Sequence, residues 1–431
     1  MKKLRIPALL LSLCILLSGC SFRLDSIDDL ISPVALSGDN ADVQQAVDEY
    51  CKSGYSLKIP SGGDYTTSFI FYDLNNDGIK EAVAFYEPSD SVGTVNMAVI
   101  SKSSDGWQVV DNIKGGGSDI ICVDFCDVNN DSLPEILVCW SIISKSSNYN
   151  LCVYRQADSD GEISLSKLTP SVTAEKFVCT DLNEDGVNEV LVFCLGSASS
   201  SPKAELYTFK GNSGRLIGET KLDSSIISYS SITAGKTDQG ASVFVDALKT
   251  DGQSMVTELI YWSDYYDSIV SPFYSYDTGK TADTTRKNLI RSRDIDNDKT
   301  TEIPLNVAKK NLPKEISAEN WMYYKNTVLN HKCYSFSCAK DKYILVVKDS
   351  EFKKLTVKYD GDNRQLTAYT NSGKQECFKI KTVISAGYNP SEYAGYTQIF
   401  SNGGFIYLAS VNSKSDLAIS IDDLKSMIKS Y

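Results

Sequence analysis

The sequence predicts an all-β fold: a β-propeller of about seven four-stranded antiparallel blades, with a short N-terminal helix and a C-terminal helix. Two spacings indicate this fold. Acidic loops begin at Asp73, Asp127 and Asp181, which are 54 residues apart, and fixed periods of this length are typical of repeat architectures. Turn dipeptides such as Asp105-Gly106 follow the loops by about 32 residues and lie between strand-like runs, which is a hairpin signal. Each period therefore holds four short strands, the content of one propeller blade.

The first loop, "DLNNDGIKE" at residues 73–81, has the composition of a calcium-binding loop. It carries acidic or amide side chains at its first, third and fifth positions, then Gly78, and it ends on Glu81. Carboxylate and amide oxygens are the ligands that calcium prefers. An EF-hand is excluded because its twelfth position needs a bidentate Glu, and this chain has Ala84 there. The apolar run "EAVAFYE" that follows predicts a buried strand rather than the helix of an EF-hand.

Three more stretches repeat the pattern. They are "DVNNDSLPE" from Asp127, "DLNEDGVNE" from Asp181 and "DIDNDKTTE" from Asp294. The last begins 113 residues after the third, which is close to two periods. We expect a degraded copy in the gap at residues 232–248, where an apolar strand, a polar turn and another apolar strand follow one another.

The repeated pattern is similar to the FG-GAP or VCBS-type repeat of integrin-like β-propellers. The run "SLKIPSGGDYTTSFIFYDLNNDGIKEAVAFYE" also resembles the first blade of repeat-bearing lipoproteins of Gram-positive bacteria. The resemblance covers residues 55–305 and implies that the loops hold structural calcium, with a backbone carbonyl at the seventh position. The implied side-chain ligands are Asp73, Asn75, Asp77, Glu81, Asp127, Asn129, Asp131, Glu135, Asp181, Asn183, Asp185, Glu189, Asp294, Asp296, Asp298 and Glu302.

The chain departs from the family pattern at two loop positions. The ninth residue is Glu in all four loops, where the family usually has Asp, and the longer side chain still reaches an ion. The sixth residue is Ser132 in the second loop and Lys299 in the fourth, instead of Gly. The alternative to calcium is that the Asp and Asn side chains only accept hydrogen bonds from their own backbone, as they do in tight polar turns.

The first residues predict export and a lipid anchor. Residues 1–19 have a basic start, an apolar core and small residues before a cysteine, as in a secretory signal peptide. The run "LSGC" resembles a bacterial lipobox, so we expect Cys20 to carry the lipid and residues 20–38 to form a tether. An ordinary signal peptide, with Cys20 either buried or free, is the alternative. The expected location is the extracytoplasmic face of the cell membrane.

The rest of the chain divides into three predicted parts. Residues 39–54 predict a helix. Residues 55–411 predict the propeller, with calcium-loop blades at 55–305 and degenerate blades at 306–411, and the last two blades could instead form a separate small sheet. Residues 306–320 are polar and predict a long connection. Residues 412–431 predict a C-terminal tail with a short helix.

Composition limits the partners. The formal net charge is −12, and it becomes about −15 without residues 1–19, which hold three basic residues and no acid. A chain this acidic does not favour nucleic acid, and we expect a monomer. Ten cysteines remain after Cys14 and Cys20. Most lie in apolar strand-like runs, which favours buried thiols, although an even number in an exported protein is also compatible with disulfides.

Two functional interpretations remain. The chain has one histidine, His331, and neither a nucleophile-elbow motif nor a phosphate-binding loop. The first interpretation is therefore a binding module, tethered to the membrane, whose partner is a surface protein or a glycan. The second is an exported glycan-active enzyme with its site on the propeller axis. An acidic pair between aromatic walls at the axis would favour the enzyme.

Overall fold

The computed structural model of the chain describes residues 38–142, 149–156, 163–197 and 199–431. The signal peptide, Cys20, nearly all of the tether and the Asp160-Gly161 turn lie outside the described residues. Strands make up 52% and helices 8% of the structure, so the prediction of an all-β chain is confirmed. The part of the chain that is described contains no helix with the length and apolar character needed to cross a membrane.

The strands of the described residues form six antiparallel sheets, which we number in chain order. Sheet 1 consists of β1 (Tyr55–Lys58), β2 (Phe69–Tyr72), β3 (Glu81–Pro88), β4 (Asn96–Ser103) and β5 (Gly106–Lys114). Sheet 2 consists of β6 (Asp119–Cys126), β7 (Glu135–Ser141), β8 (Tyr149–Gln156) and β9 (Leu165–Ala174). Sheet 3 consists of β10 (Lys176–Thr180), β11 (Glu189–Cys194), β12 (Lys203–Thr208) and β13 (Arg215–Lys221).

The second half of the chain forms the other three sheets. Sheet 4 consists of β14 (Ile226–Thr237), β15 (Gly240–Lys249), β16 (Met255–Ser263) and β17 (Ser268–Val270). Sheet 5 consists of β18 (Ile303–Asn306), β19 (Ile316–Lys325), β20 (Val328–Cys338), β21 (Tyr343–Val347) and β27 (Ile428–Ser430). Sheet 6 consists of β22 (Thr356–Asp360), β23 (Gln365–Thr370), β24 (Gln375–Ile384), β25 (Thr397–Asn402) and β26 (Phe405–Val411), with β26 between β24 and β25.

Three α-helices accompany the sheets in the described residues. They are α1 (Asp39–Tyr50), α2 (Asp349–Lys354) and α3 (Ile421–Met427). The side chains of Val43 and Val47 on α1 are fully buried and pack on one face of sheet 1, against Ala84 and Tyr86. The three helices therefore flank the sheets. Helix α1 covers the face of sheet 1 that points away from sheet 2.

The number of sheets is one smaller than the number of blades expected from the sequence. The expectation divided residues 55–411 by a constant period. The chain does not keep that period after sheet 4, because residues 271–302 form a long connection with only isolated β-bridges. The degraded copy expected at 232–248 is the β14–β15 hairpin of sheet 4.

A buried ion pair holds the long connection between sheets 4 and 5 in place. Arg286, in the connection, lies 2.8 Å from Asp246 on β15, and both side chains are almost fully buried. Asp246 also accepts hydrogen bonds from the hydroxyls of Thr257 and Ser292. A buried charge needs such partners, so this network fixes an irregular segment that has little strand pairing of its own.

Successive sheets pack face to face through separate apolar clusters. Sheets 1 and 2 meet around Phe85 and Trp140, whose rings are 5.6 Å apart in an edge-to-face contact. Further clusters join sheet 2 to 3, sheet 3 to 4, sheet 4 to 5, and sheet 5 to 6. The ten cysteines among the described residues are all free thiols, and several belong to these clusters. The sheets are therefore stacked in chain order.

The C-terminal residues do more than the predicted tail and helix. After α3, strand β27 pairs with β21 and becomes the edge strand of sheet 5. Ile428 on β27 is buried in the cluster between sheets 5 and 6. The end of the described chain thus returns to a sheet that forms about 80 residues earlier.

Candidate metal centres

The four acidic loops occupy equivalent places in the fold. The first three connect β2 to β3, β6 to β7 and β10 to β11. The fourth precedes β18 and is closed by an isolated bridge between Arg293 and Glu302. The first three loops therefore lie between two strands, as predicted, whereas the fourth has a strand only after it.

The glutamate at the ninth position of each loop is buried and accepts a hydrogen bond from the start of the loop. The four side chains are 0–1% exposed, and each accepts a hydrogen bond at Oε2 from the backbone N–H of the second loop residue, at 2.9–3.0 Å. They are Glu81, Glu135, Glu189 and Glu302. Each of these carboxylates is thus held in a fixed position at the first turn of its loop.

The first and fifth positions shape the backbone. The first Asp accepts a hydrogen bond from the N–H of the sixth residue at 2.7–3.0 Å, and the fifth Asp accepts one from the seventh at 2.7–3.0 Å. The sixth residue has positive φ in every loop, including 71° at Ser132 and 72° at Lys299. These contacts form the polar turns of the alternative interpretation. The other oxygen of the first Asp accepts a further backbone N–H in the second, third and fourth loops, and it has no donor only at Asp73.

The third loop has the best arrangement for a cation. One carboxylate oxygen from each of Asp181, Asp185 and Glu189 lies within 4.8 Å of the other two. Three hard oxygens with three negative charges match the preference of calcium for carboxylates. The nearby cation Lys210 reaches only Asp185, at 3.7 Å, and its side chain is mostly exposed. The donor set of this loop therefore fits a divalent cation.

Amide groups lie among the acids of the first two loops. Asn75 Nδ2 donates to Asp77 Oδ2 at 3.0 Å. Asn129 Nδ2 donates to Asp131 Oδ2 and to Glu135 Oε1, both at 2.8 Å. The amide nitrogen of each Asn thus compensates part of the negative charge. Rotation of the amide by about 180° would present an oxygen instead, as calcium binding by these side chains requires.

Ionisation of the four buried glutamates is energetically unfavourable. Burial, together with the neighbouring loop aspartates, raises the pKa of Glu135, Glu189 and Glu302 to about 7, and burial raises the pKa of Glu81 in the same direction. Asp73 Oδ1 and Glu302 Oε1 are buried without a hydrogen-bond donor. A divalent cation would supply the missing positive charge, so the electrostatics of the loops fit a metal ion.

The fourth loop combines a converging acid cluster with a lysine. Oxygens of Asp294, Asp296 and Glu302 lie within 4.8 Å of one another. Lys332, on β20, forms ion pairs with Asp296, at 3.2 Å, and with Asp298. No sequence pattern predicts this contact, because Lys332 lies 30 residues beyond the loop. The ion pairs of Lys332 distinguish the fourth loop from the other three.

Hydrogen bonds join several of these loops and turns into a row. Asn76 in the first loop donates to the carbonyl of Ser132 in the second, at 2.6 Å. Asn188 in the third loop donates to the carbonyl of Asp127, at 3.1 Å. Glu184 accepts from the N–H of Ala241 in the β14–β15 turn, at 3.0 Å. The loops are therefore part of the contact between neighbouring sheets.

A second polar feature lies between the first strands of the sheets. A cavity of about 300 Å³ is lined by residues 62–64, 121–124, 175–178 and 231–232, which include Asp64, Asp124 and Glu175. Burial raises the pKa of Asp124 and of Glu175, and Glu175 Oε2 has no hydrogen-bond donor. Phe177 is the aromatic residue that lines it. The lining also holds Lys176, whose charge partly offsets the effect of burial on the pKa of Glu175, so the cavity carries three acids and one lysine.

The acidic cavity meets a larger one of opposite charge. The second cavity, of about 660 Å³, shares Ser231 and Ile232 with the first and contains Arg291 and Arg293. Arg293 donates to the carbonyl of Ser430 at 3.0 Å, while its Nε is buried without an acceptor. We call the two cavities together the inner cleft. No sequence motif marks it, because its charged residues come from four distant segments.

Comparison of the chain with known protein families and with curated proteins found no match to either.

Proposed function

We propose that this protein is a calcium-stabilised, propeller-like binding module, tethered through lipid on Cys20 to the extracytoplasmic face of the cell membrane. The observation that carries the binding role is the inner cleft, which has three acids and Lys176 in one cavity and two arginines in the other. The proposed ligand position is this cleft. The proposed role of calcium in the acidic loops is structural.

The propeller arrangement is supported by the position of the first strands. Residues from β6, β10 and β14 line one cavity together with residues 62–64, as inner strands line the central channel of a propeller. We therefore infer that sheets 1 to 4 are blades arranged around this cleft, and that sheets 5 and 6 continue the stack. Helix α1 covers the outer face of the first blade.

The charges of the cleft point to the class of ligand. Arg291 and Arg293 suit a carboxylate, because guanidinium groups bind carboxylates through paired N–H donors. Asp64, Asp124 and Glu175 suit an ammonium or guanidinium group. A ligand with both charges satisfies the two walls, whereas a neutral glycan satisfies neither. Of the expected partners, a peptide segment of a surface protein therefore fits better than a glycan.

A capture experiment with matched variants tests this function. Purified protein is incubated with cell-envelope extract in calcium and in chelator, and retained proteins are identified by mass spectrometry. Arg291→Gln and Asp124→Asn are expected to lose the partner that the native chain retains. Lys314→Gln is the control, because Lys314 is 91% exposed and lies outside the cleft. Retention of the same partner by all four proteins would exclude the cleft as the binding site.

The glycan-active enzyme remains the second candidate because acids do line the cleft. Asp64 and Asp124 act electrostatically on each other, and Phe177 provides an aromatic surface nearby. An enzyme of this kind would release new reducing ends from envelope polysaccharide, and Glu175→Gln or Asp124→Asn would abolish the release. If the release of reducing ends depends on these acids, the interpretation as an enzyme replaces the interpretation as a binding module.

A further inference from the structure

We infer that Lys332 is the resident cation of the fourth loop, and that this loop holds no calcium while Lys332 is present. The inference rests on the proposed calcium role of the other loops. Lys332 Nζ lies 3.2 Å from Asp296 Oδ2 and forms a second ion pair with Asp298. Two of the four implied side-chain ligands of this loop are therefore already paired with a positive charge.

The position of Lys332 results from a β-bulge. In the pairing of β19 with β20, Trp321 lies opposite Cys333, and Met322 lies opposite His331. Lys332 is the extra residue between these pairs, and bulges of this kind redirect a side chain. Its side chain is 24% exposed, and Nζ lies 6.0 Å from the centre of the Tyr323 ring. The ammonium group is thus aimed at the loop by the fold of sheet 5.

The third loop shows the contrast. Lys210 approaches Asp185 only to 3.7 Å, with a side chain that is 58% exposed, and it contacts neither of the other two converging acids. Water screens and competes with such an exposed pair, so Lys210 is easily displaced. Lys332 is more enclosed and contacts two acids, so calcium would have to displace it against like-charge repulsion. The fourth loop also has Lys299 at its sixth position, where φ is 72°.

This arrangement divides the protein by its dependence on calcium. The loops of sheets 1 to 3 need an added cation. The fourth loop, at the junction between sheets 4 and 5, has the ammonium group of Lys332 as its cation. We therefore expect calcium depletion to loosen residues 73–81, 127–135 and 181–189 while residues 294–302 keep their structure. The fourth loop then has the same turn as the other three, with the ammonium group of Lys332 in place of a calcium ion.

Calcium titration of the metal-free protein by calorimetry tests the inference. Lys332→Met is expected to bind one more calcium ion per chain than the native protein. Lys210→Met is the matched control and is expected to bind the same number as the native protein. An unchanged number in Lys332→Met overturns the inference. If only Lys332→Met binds an ion and the native chain binds none, the inference stands and the proposed calcium role of the other loops fails.

Hydrogen exchange of the native chain gives a second test that needs no variant. Addition of chelator is expected to increase amide exchange at least tenfold in residues 181–189 and to leave residues 294–302 unchanged. An equal increase in residues 294–302 would show that calcium, and not Lys332, holds the fourth loop, and would overturn the inference.

Discussion

Replacement of Glu189 by Gln is predicted to have opposite effects on stability with and without calcium. Glu189 Oε2 accepts the N–H of Leu182 at 3.0 Å, and Gln keeps an oxygen for this hydrogen bond. Gln removes the charge, however, and with it a carboxyl group whose pKa is raised to about 7 by burial and by Asp185. The substitution therefore separates the charge of Glu189 from its structural hydrogen bond.

The direction of the stability change without calcium follows from the raised pKa of Glu189. Below the ordinary Glu value of 4.5, both the folded and the unfolded chain bind the proton, and the charge has no effect. Between 4.5 and about 7 only the folded state holds the proton, so stability falls as the pH rises; above about 7 the whole loss is present. At pH 8 in chelator we expect Glu189→Gln to be more stable than the native chain by about 1 to 2 kcal/mol, since water screens part of the charge.

Calcium reverses the order. At a concentration one hundred times Kd, an ion that binds only the folded state stabilises it by about 2.7 kcal/mol. Glu189→Gln loses this gain at the third loop, so the native chain becomes the more stable protein by about 1 kcal/mol. The assay is urea denaturation at pH 8 in chelator and in calcium.

Glu189→Leu is the control for this assay. It removes the charge as Gln does but leaves the buried N–H of Leu182 without an acceptor, so it is expected to be about 1 to 3 kcal/mol less stable than Glu189→Gln in both conditions. If Glu189→Gln ranks below the native chain by the same amount with and without calcium, the charge of Glu189 has no role in metal binding and the reasoning is refuted.

Three further predictions follow from other parts of the chain. Arg286→Met leaves Asp246 buried without its partner and should cost about 3 to 5 kcal/mol in chemical denaturation; a loss under about 1 kcal/mol would contradict the buried pair. Gly186→Ala, at φ 88°, should lower stability by about 1 kcal/mol, and an unchanged midpoint would contradict the strained turn. Cys20→Ser should leave the protein unprocessed or release it into the medium, and normal processing with retention in the membrane fraction would refute the lipid anchor.

Short-range signals made part of the fold predictable. Alternating acidic and amide residues followed by Gly78 or Gly186 specify a tight turn through their own backbone contacts, and the apolar runs beside them specify strands. The buried face of α1 was predictable from Val43 and Val47, because residues four apart share one face of a helix. These features depend on a few neighbouring residues, which is why the sequence alone contains them.

The parts that sequence did not predict depend on distant contacts. The bulge that aims Lys332 at Asp296 requires the register of β19 against β20, which no local pattern specifies. The pairing of β27 with β21 and the charge separation between Asp124 and Arg293 likewise join segments far apart in the chain. The count of sheets differed because the Asp246–Arg286 pair stabilises an irregular connection where a constant period predicts strands.

Calorimetric titration of the chelator-treated native chain with calcium, repeated with Asp185→Ala, is the decisive test for calcium in the acidic loops. We expect saturable binding of calcium by the native chain, loss of one bound ion in Asp185→Ala, and no comparable binding of magnesium, which prefers a tighter octahedral shell that keeps several waters. A native chain that takes up no calcium, with a melting temperature that chelator does not change, would contradict this expectation and would leave the four loops as polar turns.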